Sequence, residues 1–255
     1  MTNAQIIEIA MRQSAIDCNC DAADFKLSTN KVVISKEHPL ARKYLELPLY
    51  CDLVSYGSNI VASVSGDAAD FVESYINKYP IEHCFETPNL HVLNDELQKR
   101  GMRICFMAEY FLPDVSALKR LPCGYDIRIL RPDDFSHLYQ PQWSNALSEG
   151  RKNLDVLAAG AFDGDKLVGL AGSSADCETM WQIGVDVLPE YRKMGVASAL
   201  TSNLAVEILN RGKVPFYCCA WSNIRSVRNA IKSGFRPAWV QMTAKTVDFV
   251  NKMNG

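Results

Sequence analysis

The chain has 255 residues, with 27 Lys and Arg against 29 Asp and Glu, a formal charge of −2 and 48% apolar residues. That is the composition of a globular protein long enough for one large domain or two. No basic tract stands out, which argues against nucleic acid or a membrane surface as an obligatory partner, because both recruit clustered Lys and Arg. No run approaches the roughly 18 apolar residues of a membrane span, and residues 1–10 lack the basic start of a signal peptide. Nine scattered cysteines read as reduced thiols of a cytoplasmic protein.

Residues 4–16 approximate helical spacing, and an Asp/Asn/Cys-rich loop follows over 17–24. A short β-branched run at 31–35 and strands at 49–54 and 59–65, joined around Tyr56-Gly57-Ser58-Asn59, come next; the last two make a hairpin. Helices are predicted over 67–78, stopped by Pro80, and over 89–100, stopped by Gly101, with a buried strand at 102–111. Pro122 and Gly124 mark the expected boundary between an N-terminal α/β domain, 1–121, and a second domain, 122–255. The second domain opens with a strand at 125–130 and a helix at Arg131-Pro132. Strands at 155–162 and 167–173 flank Asp163-Gly164-Asp165, and a fourth strand covers 180–188. In the following helix Val196, Leu200, Leu204 and Ile208 fall four apart, and Gly212 caps it. A strand at 214–221, a helix at 225–233 ended by Gly234, and a last strand at 239–247 complete the chain.

The stretch with chemical content is Val185-Asp186-Val187-Leu188-Pro189-Glu190-Tyr191-Arg192-Lys193-Met194-Gly195-Val196-Ala197. It joins a predicted strand to a predicted helix, and a helix N-terminus offers unpaired amides and the positive end of a dipole to an anion such as pyrophosphate. Arg192 and Lys193 add charge, and Gly195 and Ala197 are small enough for close approach. On spacing alone, a plain strand-turn-helix with a solvated basic pair explains it equally well. The pattern Val-x-Pro-Glu-Tyr-Arg-x-x-Gly-x-Ala resembles the acyl-CoA signature of the GNAT N-acetyltransferase superfamily. Asn223-Ile224-Arg225-Ser226, followed by the helix ending in Gly234-Phe235, is similar to that superfamily's second block.

The resemblance covers about half the chain and implies an α/β (α+β) fold with a mixed, mostly antiparallel sheet splayed between its fourth and fifth strands. The N-terminal α/β part would frame the substrate or be a degenerate copy of the same fold. It further implies acetyl-CoA as cosubstrate. Backbone groups of Val185 and Val187 would hold the pantetheine arm, residues Arg192, Lys193, Met194, Gly195, Val196 and Ala197 the pyrophosphate, and Asn223 the pantetheine. The acetyl group would pass by direct attack to a primary amine of a small molecule or peptide. No metal, nucleic acid or membrane enters this expectation, and a homodimer is left open.

Both catalytic positions depart from the superfamily's pattern. The tyrosine that commonly serves as general acid is replaced by Ala230, which makes Ser226 the best substitute, with helix capping the competing role. Trp181 stands where many members carry a glutamate base. Of the nearby carboxylates, Glu178 is preferred over Asp176 and Glu109, each of which reads equally as a surface or loop group. The departures sustain an alternative, a catalytically weak acyl-CoA-binding regulatory or sensor protein. Cys18-x-Cys20 and His83-Cys84 lack the spacing of a zinc site. Trp143, Trp181 and Trp221 are core residues or acceptor-pocket walls.

Overall fold

The computed structural model describes residues 1–255. In chain order its elements are α1 (Asn3–Cys18), β1 (Lys31–Ile34), β2 (Cys51–Ser55), β3 (Val61–Val64), α2 (Ala69–Ile76), α3 (Thr87–Gln98), β4 (Met102–Pro113), β5 (Asp126–Leu130) and α4 (Pro132–Phe135). There follow β6 (Asp155–Asp163), β7 (Lys166–Ser174), β8 (Met180–Val187), α5 (Val196–Asn210), β9 (Val214–Cys219), α6 (Ile224–Lys232), β10 (Phe235–Thr246) and α7 (Val247–Met253). Two compact units share the chain: Met1–Ala10 with Tyr110–Pro237, and Met11–Glu109 with Ala238–Gly255. The chain passes from one to the other inside α1, β4 and β10, so the contiguous division expected after residue 121 does not coincide with these units. β4 and β10 are each 12 residues long, enough for one strand to serve two cores.

In the unit built on Met11–Glu109 the strand order is β1-β3-β2-β10-β4. The expected hairpin is present, with Cys51 opposite Val64 and Leu53 opposite Ala62, and Gly57 supplies the left-handed turn residue at φ 98°. Leu53, Ala62, Val72, Ile76, Leu93, Leu97 and Met242 form its core. A buried ionic group lies in the same unit: Arg42 pairs with Asp17 at 3.0 Å, and Arg42 is 1% exposed.

In the unit built on Tyr110–Pro237 the order is β4-β9-β8-β7-β6-β5. Neighbours from β5 to β8 are antiparallel and β8–β9 is parallel, which makes the sheet mixed and mostly antiparallel. Val196, Leu200, Leu204 and Ile208 of α5 are all buried against it with Phe111, Ala159, Ala171, Ile183, Tyr217 and Phe235. Phe135, Trp143, Leu147 and Leu170 form a second cluster. Three expectations are corrected. The helix at Arg131-Pro132 is a single turn, α4, after which the chain turns again at Pro141–Trp143. The last strand starts earlier, at Phe235, whose ring is buried, and runs on through exposed Arg236 and Pro237. It is followed by the unforeseen α7, capped where Thr246 Oγ1 accepts from the Phe249 amide at 3.2 Å.

No helix is long and apolar enough to cross a membrane. Cys18 closes α1 and is buried, its thiol pushed up by burial, whereas Cys20 lies beyond the helix. No group of three or more His, Cys, Asp or Glu side chains converges to hold a metal ion.

Candidate functional site

The parallel pair β8–β9 is matched only over its first half: Met180 faces Val214, Trp181 Pro215, Gln182 Phe216 and Ile183 Tyr217. Beyond Ile183 and Tyr217 both strands continue, to Val187 and Cys219, without pairing. The sheet is parted there, as a fork. The antiparallel register with β7 fixes where the backbone of β8 points inside it. Val187 faces Gly169, and the Leu188 amide donates to the Val168 carbonyl at 3.0 Å, so the even-numbered residues of β8 bond to β7. Val185 and Val187 therefore turn their amides and carbonyls into the fork. The carbonyl of Val187 is taken, because Arg192 Nε donates to it at 3.0 Å. The amide and carbonyl of Val185 and the amide of Val187 form the edge.

The mouth of the fork is the start of α5. Gly195 is its N-cap at φ 83°, and Lys193 is also left-handed at φ 64°. Glycine has no side-chain oxygen to cap the helix, and the first intrahelical bond there is from the Ala199 amide to the Gly195 carbonyl, 3.0 Å. The amides of Val196, Ala197 and Ser198 precede it and have no partner within the helix. Aromatic contacts fix the turn: Tyr191 packs edge-on to Tyr125 at 5.5 Å, and Tyr125 Oη lies 3.3 Å from Met194 Sδ. Val196 is a core residue, whereas Arg192, Lys193 and Met194 are exposed. The fold adds a cation that sequence spacing did not reveal. Lys232, at the end of α6, has its Nζ 4.0 Å from where a β-carbon on Gly195 would stand. Three cations beside the positive end of a helix dipole are unfavourably placed unless an anion joins them.

Asn223 caps α6 by accepting from the Ser226 amide at 3.2 Å, and the Ser226 hydroxyl lies 2.7 Å from the hydroxyl of Tyr217. Tyr217 is the last residue of β9 matched to β8, so this hydroxyl pair marks the apex of the fork. It is a second residue that the sequence reading missed. Burial pushes its phenol above the ordinary tyrosine value. Ala230, at the superfamily's tyrosine position, is fully buried in the core. Glu178 is not brought into this group: it is exposed in the turn before β8 begins at Met180, and three strand rises of about 3.3 Å separate Met180 from Ile183 at the apex. Asp176 is buried and paired with Arg151, and burial raises the carboxyl of Glu109 on β4.

The even-numbered face of β8 carries a loop. Gly184 and Gly172 face each other across β8 and β7, and β-carbons there would stand 1.8 Å from the carbonyl oxygen of Asn145 and 1.9 Å from that of Ala146. Asp186 fastens the loop from the same strand, accepting from the amides of Asn145 at 2.8 Å and Ala146 at 3.0 Å and from Asn145 Nδ2 at 2.6 Å. Trp143 is buried under this loop and Trp181 packs in the core, leaving Trp221 61% exposed. Cys218, beyond the fork's apex, accepts from Gln182 Nε2 at 3.1 Å.

A mixed sheet parted at one parallel pair, with an uncapped helix N-terminus at the mouth, is the architecture that the GNAT resemblance implies. A family model described as GNAT acetyltransferase matches residues 92–238, more than half of the chain, and the chain belongs to that family. Solved structures that resemble it in part include a putative GNAT-family acetyltransferase from Novosphingobium aromaticivorans, with 21% identity, 56% of this chain and 66% of that one covered, and a TM-score of 0.43. A GCN5-related N-acetyltransferase-like protein from Streptococcus suis has 20% identity, coverage of 63% and 68%, and a TM-score of 0.46. A GCN5-related N-acetyltransferase from Kribbella flavida has 14% identity, coverage of 74% and 81%, and a TM-score of 0.49. The chain spans slightly under two thirds of the length of the first of these. No curated protein matches it significantly.

Proposed function

We propose that the protein is an N-acetyltransferase that transfers the acetyl group of acetyl-CoA to a primary amine of a small molecule or peptide. The observation that carries this reading is the fork with its open edge. The amide and carbonyl of Val185 and the amide of Val187 suit an extended arm that carries its own amides, as an added strand would. The uncapped amides of α5, with Arg192, Lys193 and Lys232, suit a pyrophosphate. When bound, acetyl-CoA supplies a thioester open to direct attack by the amine.

The protein's own part is proton management and orientation. An alkylammonium has an ordinary pKa near 10.4 and an α-ammonium near 8, so the acceptor must lose a proton before it can attack. Asp186 is the one carboxylate on the parted stretch of β8, and the 145–146 loop already occupies it. Glu178 lies well outside, so on this reading solvent takes that proton. Ser226 holds a hydroxyl proton at the apex for the departing sulfur, in the role of general acid. Nine cysteines, none of them in a disulfide, favour a reducing, cytoplasmic setting.

A second reading, an acyl-CoA-binding regulatory protein with weak catalysis, is favoured by Ala230 in the core and by the distance of Glu178. Thiol release from acetyl-CoA over a panel of polyamines, aminoglycosides and peptide N-termini separates the two. Acceptor-dependent release is the expected outcome; saturable acetyl-CoA binding with no release across the panel transfers the assignment to the regulatory reading.

A further inference from the structure

We infer that Tyr217 is a positioning residue, holding the Ser226 hydroxyl so that its hydrogen points at the sulfur of the coenzyme in the fork. The inference rests on the reading of the fork as an acyl-CoA site and deepens it. Its basis is the direction of one hydrogen bond. The hydroxyls of Tyr217 and Ser226 lie 2.7 Å apart. A phenol is the more acidic of the two and the poorer acceptor, and Tyr217 is buried away from water, so the phenol directs its hydrogen to Ser226 Oγ. Ser226 then accepts from Tyr217 and retains one hydrogen with no acceptor inside the chain.

Burial decides which way that hydrogen points. Tyr217 is 4% exposed, whereas Ser226 lies half-buried in the first turn of α6, so the bond runs from inside the core outward. A buried phenol whose ionisation is pushed upward stays a neutral donor over the physiological range, which keeps the order of donation fixed. The backbone of Ser226 is pinned separately by Asn223 Oδ1 at 3.2 Å. A serine constrained at both its amide and its hydroxyl is oriented before any ligand arrives, and a donor preset toward developing negative charge is worth more than a freely rotating one. Packing alone would be served by phenylalanine; the phenol oxygen adds this orientation.

The test compares binding of CoA with that of desulpho-CoA, in which hydrogen replaces the thiol, to the wild type, Tyr217→Phe and Ser226→Ala. Wild type is expected to prefer CoA by about 5- to 10-fold, the range of one net hydrogen bond. Both variants should lose most of that preference while keeping their affinity for desulpho-CoA, and combining them should cost nothing further. Absence of a preference in the wild type, or its survival in either variant, overturns the inference. Failure of desulpho-CoA to bind the wild type would instead overturn the reading of the fork, and with it the inference. Should Tyr217→Phe not fold, Ser226→Ala decides whether the hydroxyl meets the sulfur, and Tyr217→Met, a second replacement that fills the space without a hydroxyl, decides the positioning: the preference must fall there too.

Discussion

Asp52 on β2 is 1% exposed, with Gln241 Nε2 donating to it at 2.9 Å and Thr243 Oγ1 at 2.5 Å. Burial pushes its carboxyl up to about 7; Asp17 adds to the rise, and the two hydrogen bonds and Arg42 oppose it. The folded chain therefore keeps a proton that an unfolded aspartate releases near pH 4. Stability falls as pH rises from about 4 toward 7, and the penalty is complete above 7. Asp52→Asn keeps the shape and removes the ionisation, so its urea midpoint should vary less between pH 5 and 8 than that of the wild type. An undiminished decline in the variant would assign the pH dependence elsewhere. Residues acting through the backbone were legible in the sequence because a local pattern carries them: Val185 and Val187 stand on β8 and Gly195 at the start of α5, whereas the cap of α6 is Asn223 and not the expected Ser226. Lys232 and Tyr217 were not legible. Each meets its partner only when α5, α6 and β9 pack together, and no spacing rule links Gly195 to Lys232.

At the scale of elements, the pair Gly172 and Gly184 makes a flat seat on which the 143–147 loop lies, and Asp186 ties the loop down. Gly184→Ala drives a methyl into the Asn145 carbonyl and must lift the loop. We expect a loss of about 1–3 kcal/mol in chemical denaturation. The KM of the acceptor should rise more than that of acetyl-CoA, since the loop lies on the face of β8 away from α5. A variant as stable and as active as wild type would show that the seat is unimportant. The long elements were readable, because α5 repeats an apolar residue every four positions and β6 to β8 alternate around clear turns. The short ones were not. α4 is one turn set by proline, and α7 is only seven residues long and held at its start by Thr246, so neither has an apolar stripe long enough to register.

For the whole molecule, the sequence suggested a cut between consecutive segments, whereas the chain threads α1, β4 and β10 through two compact units. A proline and a glycine at 122 and 124 mark an irregular stretch that ends in a bend, and they carry no information about which core the preceding strand joins. The near-neutral charge also acquires a sharper meaning. The cations that matter are few and local: Arg192, Lys193 and Lys232 around one helix N-terminus. Calorimetric titration of acetyl-CoA into the wild type and Lys232→Glu tests this most directly. The account predicts saturable binding of one ligand per chain in the wild type and about tenfold weaker binding in the variant, the equivalent of roughly 1.4 kcal/mol for one charge-assisted contact. No saturable binding by the wild type, or an affinity untouched by Lys232→Glu, would contradict it.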